Sequence, residues 1–199
     1  DRRRVEGPGG PGLREGEMAF EDRFDGKLAA GWSWLREDPK AWRIEGDGLE
    51  IKVQPGVAGT VRNALVRAAP DRRKGAWAID LSVTNHTAPT RQYEQAGITW
   101  YHGGRPVFKL VKELIDGKTY IIPGRKPMPA KTVQLRLIVT AEEWTAQYRP
   151  DGKGEFLTAG KGRLPAPGED QVSIQCYNGP ADAEHWIRFD DFRIAKMEE

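Results

Sequence analysis

Lys109 and Glu113 stand four residues apart in VFKLVKEL, two charged side chains set into an apolar run. A carboxylate beside an ammonium group can accept hydrogen bonds from sugar hydroxyls, or act as a general acid or base at a scissile bond. Other short runs carry long hydrogen-bonding or aromatic side chains at alternate positions: Tyr101 in QAGITWY, Arg136 in TVQLRLIV, Gln147 and Arg149 in WTAQYR, Gln175 and Tyr177 in QVSIQCY. If all of these protrude from one surface, they form a polar platform for sugar hydroxyls, with Trp34 and Tyr101 as rings for stacking on a pyranose. The expected ligand-binding set is therefore Trp34, Tyr101, Lys109, Glu113, Arg136, Gln147, Gln175 and Tyr177, and Glu113 is the residue that would serve catalysis. The competing reading is a solvated sheet face on which such residues only tune strand pairing.

Other chemistry is thinly represented. Asp22, Asp25, Asp190 and Asp191 would gather oxygens for calcium if the first and last strands pair, the one cofactor the sequence suggests. His86, His102 and His185 lack metal-ligand spacing, and only His102, next to Tyr101, has a place at the edge of the platform. Cys176 is the single cysteine, which excludes an intrachain disulfide and reads as a small buried hydrophobe in VSIQCY. No serine or cysteine nucleophile motif, zinc signature or dinucleotide fingerprint occurs.

The elements that must position these residues are strands. Asp-Gly, a dipeptide suited to tight turns, occurs at Asp25, Asp47, Asp116 and Asp151. Between such breaks the runs 49–53, 76–83, 95–101, 107–114, 132–139, 144–148, 171–177 and 186–194 alternate apolar and polar residues with a period of two. No helical stripe lasts beyond two turns, so the fold class is all-β, a two-sheet antiparallel sandwich. The alternation turns Val133, Leu135, Leu137 and Val139 inward, together with Ala96, Ile98, Trp100, Val172, Ile174, Cys176, Trp144, Ala146 and Tyr148. In VFKLVKEL the core set of Phe108, Leu110 and Leu114 carries Lys112 with it as an awkward member.

The chain has 199 residues, enough for one domain with a full core, and 31 Lys+Arg against 29 Asp+Glu leave a net charge of +2. That balance and the lack of a basic patch beyond Arg2–Arg4 predict no nucleic-acid partner, and no apolar run is long enough for a membrane helix. DRRRVEGPGGPGLREGEM, residues 1–18, is expected to be a flexible Gly/Pro-rich tail ahead of a single domain at 19–199. The sequence leaves oligomeric state open. It favours a secreted or periplasmic protein if a leader has been removed and a cytoplasmic one otherwise.

From residue 20 the sequence reads FEDRFDGKLAAGWSWLREDPKAWRIEGDGLEIK, and it closes with IRFDDFRI. With its Phe-Asp-Gly opening, Trp-x-Trp, Pro-x-x-Trp before a Leu-x-Ile strand, and terminal Phe-Asp-x-Phe, the chain resembles the concanavalin A-like C-terminal domain of bacterial β-xylosidases and arabinanases. It also resembles the related uncharacterised family labelled "regulation of enolase". The resemblance implies a jelly roll with adjacent first and last strands, and an oligosaccharide or polysaccharide bound on the concave sheet. In the xylosidase relatives such a domain accompanies a separate catalytic propeller. EGDGLE (45–50) fits the Glu-x-Asp-x-x-Glu signature of concanavalin A-like endoglycanases, but its glycines favour a hairpin turn over a rigid catalytic strand. The leading expectation is a carbohydrate-recognising, non-catalytic domain. The alternatives are a stand-alone glycoside hydrolase or lyase using Glu113, and a protein-interaction module.

Overall fold

Asp116 and Gly117 both take positive φ, 50° and 79°, and this two-residue turn folds residues 105–122 into a hairpin. Such primed turns match the twist of the strands they join, which is why Asp-Gly marks them. The structure is a computed structural model describing Arg4, Val5 and residues 13–198. In chain order the strands are β1 (Arg4–Val5), β2 (Leu13–Asp22), β3 (Ser33–Leu35), β4 (Trp42–Ile44), β5 (Leu49–Lys52), β6 (Ala64–Ala68), β7 (Ala76–Asn85) and β8 (Gln95–His102). They continue with β9 (Arg105–Ile115), β10 (Lys118–Ile122), β11 (Lys126–Pro127), β12 (Thr132–Val139), β13 (Glu143–Pro150), β14 (Leu157–Arg163), β15 (Asp170–Tyr177) and β16 (Trp186–Glu198). Among the described residues the helical content is two single turns, Pro39–Ala41 and Arg72–Lys74.

All pairings are antiparallel and make two sheets. The first runs β1-β2-β16-β7-β12-β13-β14, with β5 also on β16 and β4 on β5; the second runs β11-β10-β9-β8-β15-β6-β3. The first and last long strands, β2 and β16, are neighbours, as the resemblance implies. Ile79, Leu81, Leu135, Leu137 and Phe189 of the first sheet meet Ile98, Trp100, Leu110 and Ile174 of the second in one continuous core, all essentially inaccessible to water. Each such side chain contributes about 1.5–3 kcal/mol through its removal from water. Cys176 belongs to this core, and burial pushes its thiol up, away from reactivity.

Every inward assignment made from alternation in β8, β12, β13 and β15 holds. Lys112 does lie on the core side of β9, where its Nζ donates to the carbonyls of Ala130 and Lys131. Burial lowers its ammonium pKa to about 8.

Two expectations change. The tail does not extend to residue 18: β2 already starts at Leu13 and pairs with the end of β16, Glu15 opposite Met197. Glu15 is drawn into the sheet by ion pairs to Arg136 and Arg193, a long-range attraction that local Gly/Pro composition does not reveal. Residues 1–3 and 6–12, including the GPGGPG run, lie outside the described residues. The second change concerns the platform. Alternation sorts residues into inward and outward sets but does not say which sheet a strand joins, and a sandwich has two outer faces. β12 and β13 belong to the first sheet, while β8, β9 and β15 belong to the second, so the expected single platform is split between opposite sides of the molecule.

Candidate functional site

Arg136, Gln147 and Arg149 stand on the outer face of the first sheet. Arg136 makes a bidentate bond to Asp80, Nε and Nη2 each 2.7 Å from a carboxylate oxygen, and its Nη2 also reaches Glu15 at 3.3 Å. Phe156 lies over this pair, its ring centre 4.1 Å from the guanidinium carbon of Arg136 and 4.4 Å from that of Arg149. The two acidic partners, Asp80 and Glu15, hold the Arg136 guanidinium charged despite burial, as expected for an ion pair that completes its hydrogen bonds. Gln147 donates to Thr158, and Arg149 donates to Gln134 and the Gly154 carbonyl. A cleft of 590 Å³ opens beside them, lined by polar side chains including Ser82, Gln134, Asp190 and Arg193. Much of its charge is answered within the protein: Arg193 bonds Glu15, and Arg188 bonds Asp190 at 3.4 Å. A ligand there must compete with ion pairs already formed.

The outer face of the second sheet is organised differently. At one end Tyr101 Oη lies 2.9 Å from Gln175 Oε1 and 2.9 Å from the Ala58 carbonyl, while Ser173 Oγ donates to Gln175 at 2.9 Å and Gln175 Nε2 to Ala58 at 3.3 Å. Ala58 belongs to the loop joining β5 to β6, so Tyr101 and Gln175 pin that loop onto the sheet. Both were expected to meet ligand; their polar atoms serve the loop instead. In the middle of the face Lys109 Nζ donates to Gln95 Oε1 at 2.6 Å and to Glu113 Oε1 at 2.9 Å. Lys109 and Glu113 thus form an ion pair, with Glu113 nearly buried and Lys109 half-buried.

Beyond Lys109 lies a cleft of 440 Å³, lined by Ala58, Pro106, Val107, Phe108, Ile122, Pro123 and Trp144 as apolar walls and by Thr99, Lys109 and Tyr177 as polar groups. Phe108 and Trp144 stack at 4.3 Å, and Trp144 lies so close over β14 that a Cβ at Gly162 would come within 2.5 Å of its ring. The glycines of LTAGKGR therefore let an aromatic floor sit flat against backbone. Thr99 is 1% exposed, yet its hydroxyl has no hydrogen-bond partner. The Tyr177 side chain is 4% exposed; burial first, and then the Glu113 charge, push its phenol up, so it stays protonated and serves as a donor. Buried hydroxyls without partners cost free energy, and clefts with apolar walls and few polar groups are the usual form of small-ligand sites.

The remaining expected residues lie elsewhere. Trp34 pairs with Leu65 in register, which turns it toward the core, where it packs on Trp42 at 4.8 Å. It is no stacking platform, because Ser33 and Leu35 occupy the outward positions of that strand. Asp22 accepts from Phe24 N, Ala29 N and Trp32 Nε1 at 2.8–2.9 Å and so shapes the first turn, while Asp25 and Asp191 are exposed. Burial raises the Asp190 pKa. These four aspartates are not gathered, and the described residues contain no group of three or more side chains suited to a metal ion. EGDGLE forms the β4–β5 turn, with Glu45 N donating to Gly48 O at 3.0 Å, as its glycines suggest. Each histidine meets a carboxylate: His86 with Glu50 at 2.6 Å, His102 with Asp170 at 2.8 Å, His185 with Glu94 at 2.7 Å. His102 is thus engaged away from the cleft. Thr99, Pro106, Val107, Ile122 and Pro123 were missed; the outward position of Thr99 was legible from alternation, but the walls come from strand ends whose meeting depends on tertiary packing.

No protein-family model matches this sequence, and no curated protein matches it. Solved structures do share its fold. The GH43 protein BlXynB of Bacillus licheniformis superposes with a TM-score of 0.69 at 18% identity, covering 90% of this chain and 40% of that one. A xylan β-1,4-xylosidase of Bacillus halodurans C-125 gives 0.67 at 15% identity, covering 95% of this chain and 41% of that one. The CBM2 module of the evolved Dit of Lactobacillus casei BL23 phage J-1 gives 0.61 at 10% identity, covering 93% and 97%. This chain thus spans about two fifths of the GH43 and xylosidase chains and nearly all of the phage module. At these identities the likeness establishes the β-sandwich fold. Among the described residues no helix is long and apolar enough to cross a membrane.

Proposed function

We propose that the chain is a carbohydrate-recognising, non-catalytic domain whose glycan lies in the 440 Å³ cleft and along the adjoining face of the second sheet. The observation that carries this reading is the pairing of apolar walls with the buried, unpartnered Thr99 hydroxyl and the protonated Tyr177 phenol. Carbohydrates present the matching chemistry, apolar ring faces edged by hydroxyls. The fold neighbours, which include a xylan β-1,4-xylosidase, support the same class of ligand.

Recognition fits the residues better than turnover. Glycoside hydrolysis commonly uses two carboxylates roughly 5–9.5 Å apart. The strand positions on this outer face supply Glu113, which Lys109 already engages. Elimination by a lyase needs a base near neutral pH, and the shift of the Tyr177 phenol is in the opposite direction. A thermal-shift and calorimetric screen of neutral oligosaccharides should find a sugar that raises Tm, with the effect lost in Tyr177→Phe. Steady turnover of an aryl glycoside that disappears in Glu113→Gln would replace this reading with the hydrolase.

A further inference from the structure

We infer that the cleft selects a neutral sugar unit bearing a methyl or acyl group over its unsubstituted or acidic counterparts, an inference that rests on the glycan reading. Three polar groups, Thr99, Lys109 and Tyr177, face a cleft otherwise walled by carbon. An unsubstituted hexose brings more hydroxyls than these can pair, and each hydroxyl buried without a partner costs about tenfold or more in affinity. A deoxy or O-acyl sugar has fewer hydroxyls to satisfy and offers carbon to Val107, Ile122, Pro123 and the Phe108–Trp144 stack. Val107 is 44% exposed at the rim, apolar surface that such a substituent would cover. Thr99 and Tyr177 lie deeper and serve the ring hydroxyls that remain.

Charge sets the second half of the preference. Lys109 is the one cation among the lining residues, and Glu113 answers it at 2.9 Å. A uronic acid would therefore meet a compensated cation and a nearby carboxylate, with its own charge partly desolvated and no net positive field to offset that cost.

The test uses the full chain on a glycan array containing O-acetylated and 6-deoxy sugars, their unsubstituted parents and matching uronic acids, followed by calorimetry on the best matched set. The substituted neutral sugars should bind about tenfold tighter than their parents, the range one methylene commands in an apolar pocket. Val107→Ser, at an exposed rim position where folding is not at stake, should bring that ratio close to one. Thr99→Val should weaken substituted and parent sugars alike. Parents or uronic acids that bind as tightly as the substituted sugars overturn this inference and leave the glycan reading standing. No binding to any arrayed sugar removes both.

Discussion

The two outer faces of the sandwich are both rich in polar side chains, yet they use them in opposite ways. On the first sheet Arg136, Asp80, Glu15 and Arg193 answer one another's charges, and Phe156 covers the Arg136 guanidinium. On the second sheet the charged pair Lys109–Glu113 is also closed, but beside it Thr99 and Tyr177 line an apolar cleft, the Thr99 hydroxyl buried without a partner. The larger cleft, 590 Å³, belongs to the first face and the smaller, 440 Å³, to the second. Volume and polarity alone would choose the first; the apolar walls of the second, against the closed ion pairs of the first, choose the second, although Gln147 Oε1 and Arg193 Nε on the first face also lack partners.

This contrast can be broken most forcefully at Arg136. Arg136→Ala leaves Asp80 buried without its cation and should cost about 3–5 kcal/mol in chemical denaturation. The folded variant should bind sugar as the parent does, and a lost affinity would move the site to the first sheet. Between the faces, Lys112 is a buried ammonium whose pKa in the folded chain falls to about 8 from a normal 10.5. The unfolded chain then holds more protons than the folded one between these values. The contribution of Lys112 to stability should therefore rise by a few kcal/mol from about pH 8 to about pH 10.5 and fall away as pH drops through 8. Lys112→Met should abolish that part of the pH profile measured by urea unfolding.

Glu113→Gln sharpens the comparison at the closed pair. Because Lys109 is half-exposed, losing its partner should cost only about 1 kcal/mol of stability. The cleft then gains an uncompensated cation, and affinity for an acidic sugar should rise severalfold. The smallest change in stability is expected at Thr99. Thr99→Val removes a buried hydroxyl that has no partner, so Tm should hold or rise slightly while sugar affinity drops about tenfold. A purely structural threonine would leave affinity unchanged.

Alternation made the fold legible, down to the inward turn of Lys112 and the hairpin role of EGDGLE. It also placed Thr99, Lys109, Glu113 and Tyr177 outward correctly. What it lacked was sheet membership. Arg136 and Gln147 alternate just as Gln175 does, and nothing local distinguishes a strand of one layer from a strand of the other. That distinction is set by long-range pairing, β12 with β7 and β15 with β8. The same limit hid the loop over Tyr101 and Gln175, the pairing of Glu15 with residues far along the chain, and the walls of the cleft. Trp34 misled because an aromatic ring on a short edge strand carries too little pattern to fix its face.

The most direct measurement is residue-by-residue NMR of the isotope-labelled chain titrated with the tightest-binding arrayed glycan. Perturbed signals should cluster at Thr99, Val107, Lys109, Ile122 and Tyr177, with Ser82, Gln134 and Asp190 unmoved. Perturbations centred on Ser82, Gln134 and Asp190 would contradict the account and assign recognition to the opposite sheet.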